Sequence, residues 1–191
     1  YPIHHYAPLI AGANVIKIEC LSSENFLNNL NITLTSQKVK AVLVSFPHNP
    51  TTLTVNQEFY DELVSLARRY NFLIINDFAY SDIYFNEEKP PSLLNSDPQF
   101  DHTVELYSLT KGYSMAGWRV GFAVGNESAI SSLTKLKSYI DYGTFQPIQI
   151  ASTVAINELD DYPKEVSSIY QDRKILAEEY LTKYGFEVYK S

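Results

Sequence analysis

The chain has 191 residues, 45% of them apolar and 19% charged, with a net charge of −7. That size can enclose a sizeable core and favours a single globular domain, while the acidic balance argues against a nucleic-acid footprint. No apolar run approaches the ~18 residues of a membrane span and no secretory signal is visible; the single cysteine, Cys20, lacks a partner for an internal disulfide, which points to a reducing compartment and a cytoplasmic protein.

The chain opens at Tyr1-Pro2 without a methionine and closes on Phe186–Tyr189, an apolar run that reads as an interrupted strand. The expectation is an internal piece of a longer polypeptide. Between these ends, apolar runs alternate with helical patterns, as in an α/β domain with a mostly parallel sheet. Strands are predicted at Asn14–Glu19, Ala41–Phe46, Leu73–Asp77, Thr103–Ser108 and Val120–Val124. Val42-Leu43-Val44 and Leu73-Ile74-Ile75 are continuous apolar runs, the pattern of strands covered on both faces. Phe59, Leu63, Leu66, Ala67 and Tyr70 keep helical spacing, so Gln57–Arg69 reads as an amphipathic helix, with Thr54 and Gln57 spaced as a capping box. Further helices are predicted around Phe26–Asn31, Glu127–Ile140, Gln146–Glu158 and Lys164–Tyr184. The last carries a stripe of Val166, Ile169, Tyr170, Leu176, Tyr180 and Leu181, with Gly185 as its C-cap signal. Asn86–Gln99, with three prolines, reads as a surface excursion.

Chemistry collects at three predicted strand ends. Val42–Phe46 leads into Pro47-His48-Asn49-Pro50-Thr51-Thr52, Leu73–Asn76 into Asp77-Phe78-Ala79-Tyr80, and Val104–Tyr107 into Ser108 and Lys111. The carboxyl edge of an open parallel sheet is where ligands bind, so the three clusters can face one cleft. Ser108-Leu109-Thr110-Lys111 through Gly117-Trp118-Arg119-Val120-Gly121 offers an amine for an imine, a hydroxyl three residues before it and an arginine eight after it. That set suits a phosphorylated aldehyde, with Ser108 and Arg119 on the phosphate and Lys111 made nucleophilic by burial beside other cations. Its plain alternative is a solvated surface lysine. Asp77 at the end of an apolar strand needs an answering cation, which a protonated pyridine nitrogen would supply; otherwise it caps the following turn. Tyr80 comes three residues on, where one turn would aim its hydroxyl at the same ring. Asn49 can bond a phenolic oxygen or simply serve its turn. His4 and His5 are adjacent, not at metal-ligand spacing, so no structural metal is expected. The 15 tyrosines and 10 phenylalanines read as core and interface packing.

The segment from Ser108 to Gly121, with Asn49-Pro50-Thr51, Asp77-Phe78-Ala79-Tyr80 and Lys137 to Thr144, resembles the fold type I, class I/II aminotransferases that use pyridoxal 5′-phosphate. The similarity is nearest to the bacterial alanine, aspartate and LL-diaminopimelate enzymes. It implies a three-layer α/β/α large domain with a mostly parallel mixed sheet. Residues 1–162 would form that cofactor-binding domain without its N-terminal part, and residues 163–191 a long helix leading into a truncated small domain. By resemblance, Lys111 would form the internal aldimine and shuttle the proton between the substrate α-carbon and cofactor C4′. Asp77 would pair with the pyridine nitrogen, Asn49 and Tyr80 would bond the phenolic oxygen, Ser108 and Arg119 would hold phosphate, and Tyr1 would stack on the ring. The substrates implied are an amino acid and a 2-oxo acid, of the glutamate/2-oxoglutarate or alanine/pyruvate type, in a homodimer. The family's N-terminal arm and its small-domain arginine for the substrate carboxylate do not lie in these residues, so the fragment alone is expected to be inactive. Family members often have glycine where Thr52 stands. Three alternatives stay open: another enzyme on the same cofactor, such as a C–S lyase or decarboxylase; a serine acyl-enzyme, from Ser108-x-x-Lys111, though its companion motifs are missing; and a non-catalytic domain on the same fold.

Overall fold

In the computed structural model, which describes residues 1–85 and 88–188, four strands form one sheet in the order β1 (Ala41–Val44), β2 (Leu73–Asp77), β3 (Thr103–Ser108), β4 (Gly121–Gly125). The first three run parallel and β4 pairs antiparallel with β3, so the sheet is mixed. The helices are α1 (Pro2–Ile10), α2 (Ser23–Ser36), α3 (Gln57–Tyr70), the single turn α4 (Leu109–Gly112), α5 (Glu127–Ile140), α6 (Gln146–Glu158) and α7 (Tyr162–Lys183).

Strand alternation decides which side of the sheet each residue serves. Val42, Val44 and Ile74 point toward α2 and α3, where they join Phe26, Leu30, Phe59 and Leu63 in the main core. Burying a side chain such as Leu63 or Ile74, both at 0% exposure, contributes about 1.5–3 kcal/mol. Asp77 has the opposite parity from Ile74 and so faces the other side, where α1 meets it. The strand ends that carry Asp77 and Ser108 therefore share an edge with the loop that follows β1.

Several local expectations are corrected. Asn14–Glu19 forms no regular element and has no ladder partner among the described residues; an apolar run is not enough without a neighbouring edge. Asn56, not Thr54, caps α3: its side chain accepts from the Phe59 N–H at 3.1 Å. The helix simply begins two residues later than a Thr54 cap requires. α2 extends well beyond Phe26–Asn31, started by Ser22, whose hydroxyl accepts from the Asn25 N–H. α1, with Pro2 in its first turn, is an element that the sequence reading leaves out.

The excursion after Phe85 is less superficial than its prolines suggest. Leu93 and Asp97 are both at 0% exposure, and Asp97 accepts from Arg68, the His102 N–H and Thr103. Residues 86 and 87 of that excursion lie outside the described residues. α7 ends in a Schellman motif: Gly185, at φ +81°, donates to Thr182 and Phe186 donates to Leu181. Its expected stripe is buried at Val166, but Ile169, Tyr170, Leu176, Tyr180 and Leu181 are exposed. Of the expected terminal strand, Phe186–Val188 forms none, and Tyr189 is outside the described residues. Among the described residues no helix is long and apolar enough to cross a membrane.

Candidate functional site

A cleft of about 770 Å³ opens where β1, β2 and β3 end, and Pro47, Asn49, Thr52, Tyr80, Lys111 and Tyr170 are among its lining residues. Each polar member arrives by a different local device. Asn49 sits in a turn closed by the Thr52 N–H donating to the His48 carbonyl at 2.8 Å, while the His48 N–H reaches Leu53. Thr52 holds φ +59° there, a left-handed conformation costly for a β-branched residue. Thr52 thus holds a backbone conformation that favours glycine.

Tyr80 follows β2 in successive tight turns, with Ser81 donating to Phe78 and Ile83 to Tyr80. Lys111 lies in α4, whose start is capped by Ser108 accepting from the Thr110 N–H at 3.2 Å. Because that bond uses a lone pair of Ser108 Oγ, its O–H remains a donor. The Lys111 amine stands 5.3 Å from the Tyr80 ring centroid, within cation–π range. Lys111 itself is exposed, which corrects the expectation of a lysine buried beside cations: within this chain the cleft is open on that side. Arg119 is also exposed and at φ +53°; among the described residues its guanidinium donates to the Ala116 carbonyl at 3.4 Å.

Asp77 is half-buried and makes two contacts within this chain, one of them the turn cap of its plainer reading. Its Oδ1 accepts from the Ala79 N–H at 3.2 Å, a cap on the next turn. Its Oδ2 lies 2.7 Å from His4 Nε2. Tyr1 packs edge-on against the His4 ring at 5.3 Å between centroids and is 59% exposed. Asp77 and Tyr1 are thus joined through His4, while Asn49, Tyr80 and Lys111 meet in the cleft. His4 was invisible to sequence reasoning, which tested the histidines only for metal-ligand spacing; its sole signal is its place three residues after Tyr1. Among the described residues no group of histidine, cysteine and carboxylate side chains is arranged to hold a metal.

The family model for aminotransferase class I and II matches residues 1–191. The chain belongs to the class I and II aminotransferase family. It is 39% identical over 176 residues to the glutamate–pyruvate aminotransferase AlaC of Escherichia coli, covering 91% of this chain and 43% of that one. With the LL-diaminopimelate aminotransferase of Aquifex aeolicus it shares 37% identity over 193 residues, covering 100% of this chain and 50% of that one. A Thermus thermophilus aspartate aminotransferase double mutant superposes with a TM-score of 0.89 at 24% identity, covering 98% of this chain and 50% of that one, a likeness of fold. The chain spans about half the length of the curated relatives it matches. The parallel run of β1, β2 and β3 explains why the three loops that carry Asn49, Tyr80 and Lys111 converge at one sheet edge.

Proposed function

We propose that the whole protein is a pyridoxal 5′-phosphate-dependent aminotransferase, cytoplasmic and homodimeric, that moves an amino group between an amino acid and a 2-oxo acid. The observation that carries this is the convergence of Lys111, Tyr80 and Asn49 on one cleft at the carboxyl ends of three strands, where open α/β sheets bind ligands. The donor set fits the cofactor part by part. Lys111 Nζ would hold the aldehyde carbon, Tyr80 and Asn49 the phenolic oxygen, and Ser108 Oγ and Arg119 the phosphate. Asp77, kept in place by His4, would face the pyridine nitrogen and keep it protonated. Tyr1 would border the ring from the His4 side. When bound, the cofactor supplies an electron sink for the substrate α-carbon.

Lys111, once its amine is free, would accept the α-proton and return it at C4′, a two-position transfer suited to a flexible four-carbon side chain. Residues 1–162 would be the cofactor-binding domain and α7 the lead into a second one. A glutamate/2-oxoglutarate or alanine/pyruvate pair is the substrate class, supported by the glutamate–pyruvate name that the similar E. coli protein bears. Incubation of the whole protein with pyridoxal 5′-phosphate and borohydride should tag the Lys111 peptide, and Lys111→Ala should abolish both the tag and transamination. A tag that stays on another lysine, or activity that survives in the variant, would sink this reading.

A further inference from the structure

Asp82 joins the two loops that carry Tyr80 and Lys111, and nothing in the proposed chemistry uses it. It sits two residues beyond Tyr80, inside the turn that the Ile83 N–H closes on the Tyr80 carbonyl at 3.1 Å. The Tyr107 hydroxyl, on β3, donates to Asp82 Oδ2. The same carboxylate presses against Gly112, the residue after Lys111: a Cβ built there would stand 2.7 Å from both Asp82 Cβ and Oδ2 and 3.1 Å from Cγ. Gly112 is buried with φ outside the left-handed region, so its glycine is explained by this approach and not by backbone conformation.

We propose that Asp82 is a positioning residue for Lys111: bonded to Tyr107 and seated on Gly112, it fixes the spacing between the Tyr80 turn and the Lys111 turn. The brace deepens the function proposed above, since it matters for catalysis only if Lys111 is the reactive amine. Its logic is geometric. Two loops from neighbouring strands are otherwise free to shift against each other, and a fixed hydrogen bond beside a close backbone contact removes that freedom. The 5.3 Å separation of the Lys111 amine from the Tyr80 ring is the distance it sets.

A purely stabilising bond would give a different pattern of variants from a brace. Tyr107→Phe removes the bond and keeps the charge of Asp82; Gly112→Ala keeps both groups and forces Asp82 off its seat. Asp82→Asn keeps size and an acceptor for Tyr107 and removes the charge. In the whole protein freed of cofactor, the rate at which acetic anhydride labels Lys111, relative to Lys38 on the same molecule, reports the amine's setting by mass spectrometry. With the brace lost, Tyr107→Phe and Gly112→Ala label Lys111 about threefold faster, and bind pyridoxal 5′-phosphate about tenfold more weakly, the range one hydrogen bond spans. Asp82→Asn stays within the wild-type range. Equal ratios in wild type, Tyr107→Phe and Gly112→Ala overturn the proposal, as does a shift seen in Asp82→Asn but not in Tyr107→Phe, which would assign the effect to charge. Borohydride trapping in the wild type judges the cofactor reading separately, because the labelling ratio needs no cofactor.

Discussion

His4 Nε2 lies 2.7 Å from Asp77 Oδ2, a bond between residues 73 positions apart that ties α1 to the end of β2. Both side chains are mostly shielded, at 17% and 23% exposure, so the bond contributes more than a surface pair would. Asp77 has no other side-chain partner among the described residues, and its second oxygen is committed to the Ala79 N–H.

Removing His4 should therefore act on Asp77. His4→Ala is expected to cost about 1 kcal/mol of stability and to weaken pyridoxal 5′-phosphate binding by about tenfold in the whole protein. His4→Gln, which can still donate toward Asp77, should recover part of both. Chemical denaturation and cofactor titration measure the two effects. If His4→Ala binds the cofactor as the wild type does, His4 has no hold on Asp77 that matters to the site.

Thr52 offers a gain instead of a loss. Its φ of +59° costs a β-branched residue of order 1–3 kcal/mol, and glycine removes that strain while adding roughly 0.5–1 kcal/mol of unfolded-state entropy. Its hydroxyl bond to the Thr51 carbonyl, 2.7 Å, is exposed and adds little. Thr52→Gly should stabilise the protein by about 1 kcal/mol, raising Tm by roughly 2–4 °C for a domain of this size. A lower Tm would mean that the turn accommodates threonine without strain.

The same residues show what a sequence can and cannot disclose. Val42-Leu43-Val44 and Leu73-Ile74-Ile75 were legible as strands from their unbroken apolar runs, though Leu43, Leu73 and Ile75 are only half-buried, and α3 because its core face repeats at helical spacing. Asn49, Tyr80 and Lys111, which line one cleft, could be grouped before any coordinates because each follows a predicted strand, and parallel strands end on one side. His4 could not, since its partner is far along the chain and no periodicity links them. Asp82 and Tyr107 were missed for a similar reason: a hydroxyl–carboxylate bond between a strand and a neighbouring turn leaves no pattern within either. Asn14–Glu19 reads like a strand, yet strand formation depends on an edge to pair with, and that is a property of the fold rather than of six residues.

Two tyrosines should report on the core by refusing to ionise. Burial pushes the Tyr60 hydroxyl up, with the charge of Glu105 adding to it. Burial also raises Tyr107, with the bond to Asp82 and that carboxylate's charge behind it. A group with a raised folded-state pKa contributes stability that is present below its unfolded value, ~10 for tyrosine, and is lost as pH rises through the folded value. Alkaline absorbance titration of the 15 tyrosines should therefore leave at least two of the described ones protonated until unfolding, and urea midpoints should fall above about pH 10. Tyr60→Phe should lessen that fall. Ionisation of every tyrosine in a folded protein near the ordinary value would remove the basis for this expectation.

Glu105 is a carboxylate at 7% exposure whose two oxygens accept from Asn76 Nδ2 at 3.0 Å, the Ser92 hydroxyl at 2.7 Å and the Leu93 N–H at 2.9 Å. A buried charge needs such donors, and these three come from β2 and from the proline-rich excursion. Pro90 and Pro91 of that excursion line the cleft that holds Lys111, so the bonds that dock Ser92 and Leu93 also set one wall of the site. Glu105→Ala would strand all three donors and should cost about 3 kcal/mol. Glu105→Gln keeps one acceptor oxygen but turns an amide toward at least one donor, and should cost about half as much. The excursion would then move before the sheet does, so amide exchange at Leu93 and Leu94 should accelerate in Glu105→Gln while exchange at Ile74 and Ile75 stays slow. Equal acceleration at both places would mean that Glu105 supports the sheet itself and not the wall of the cleft.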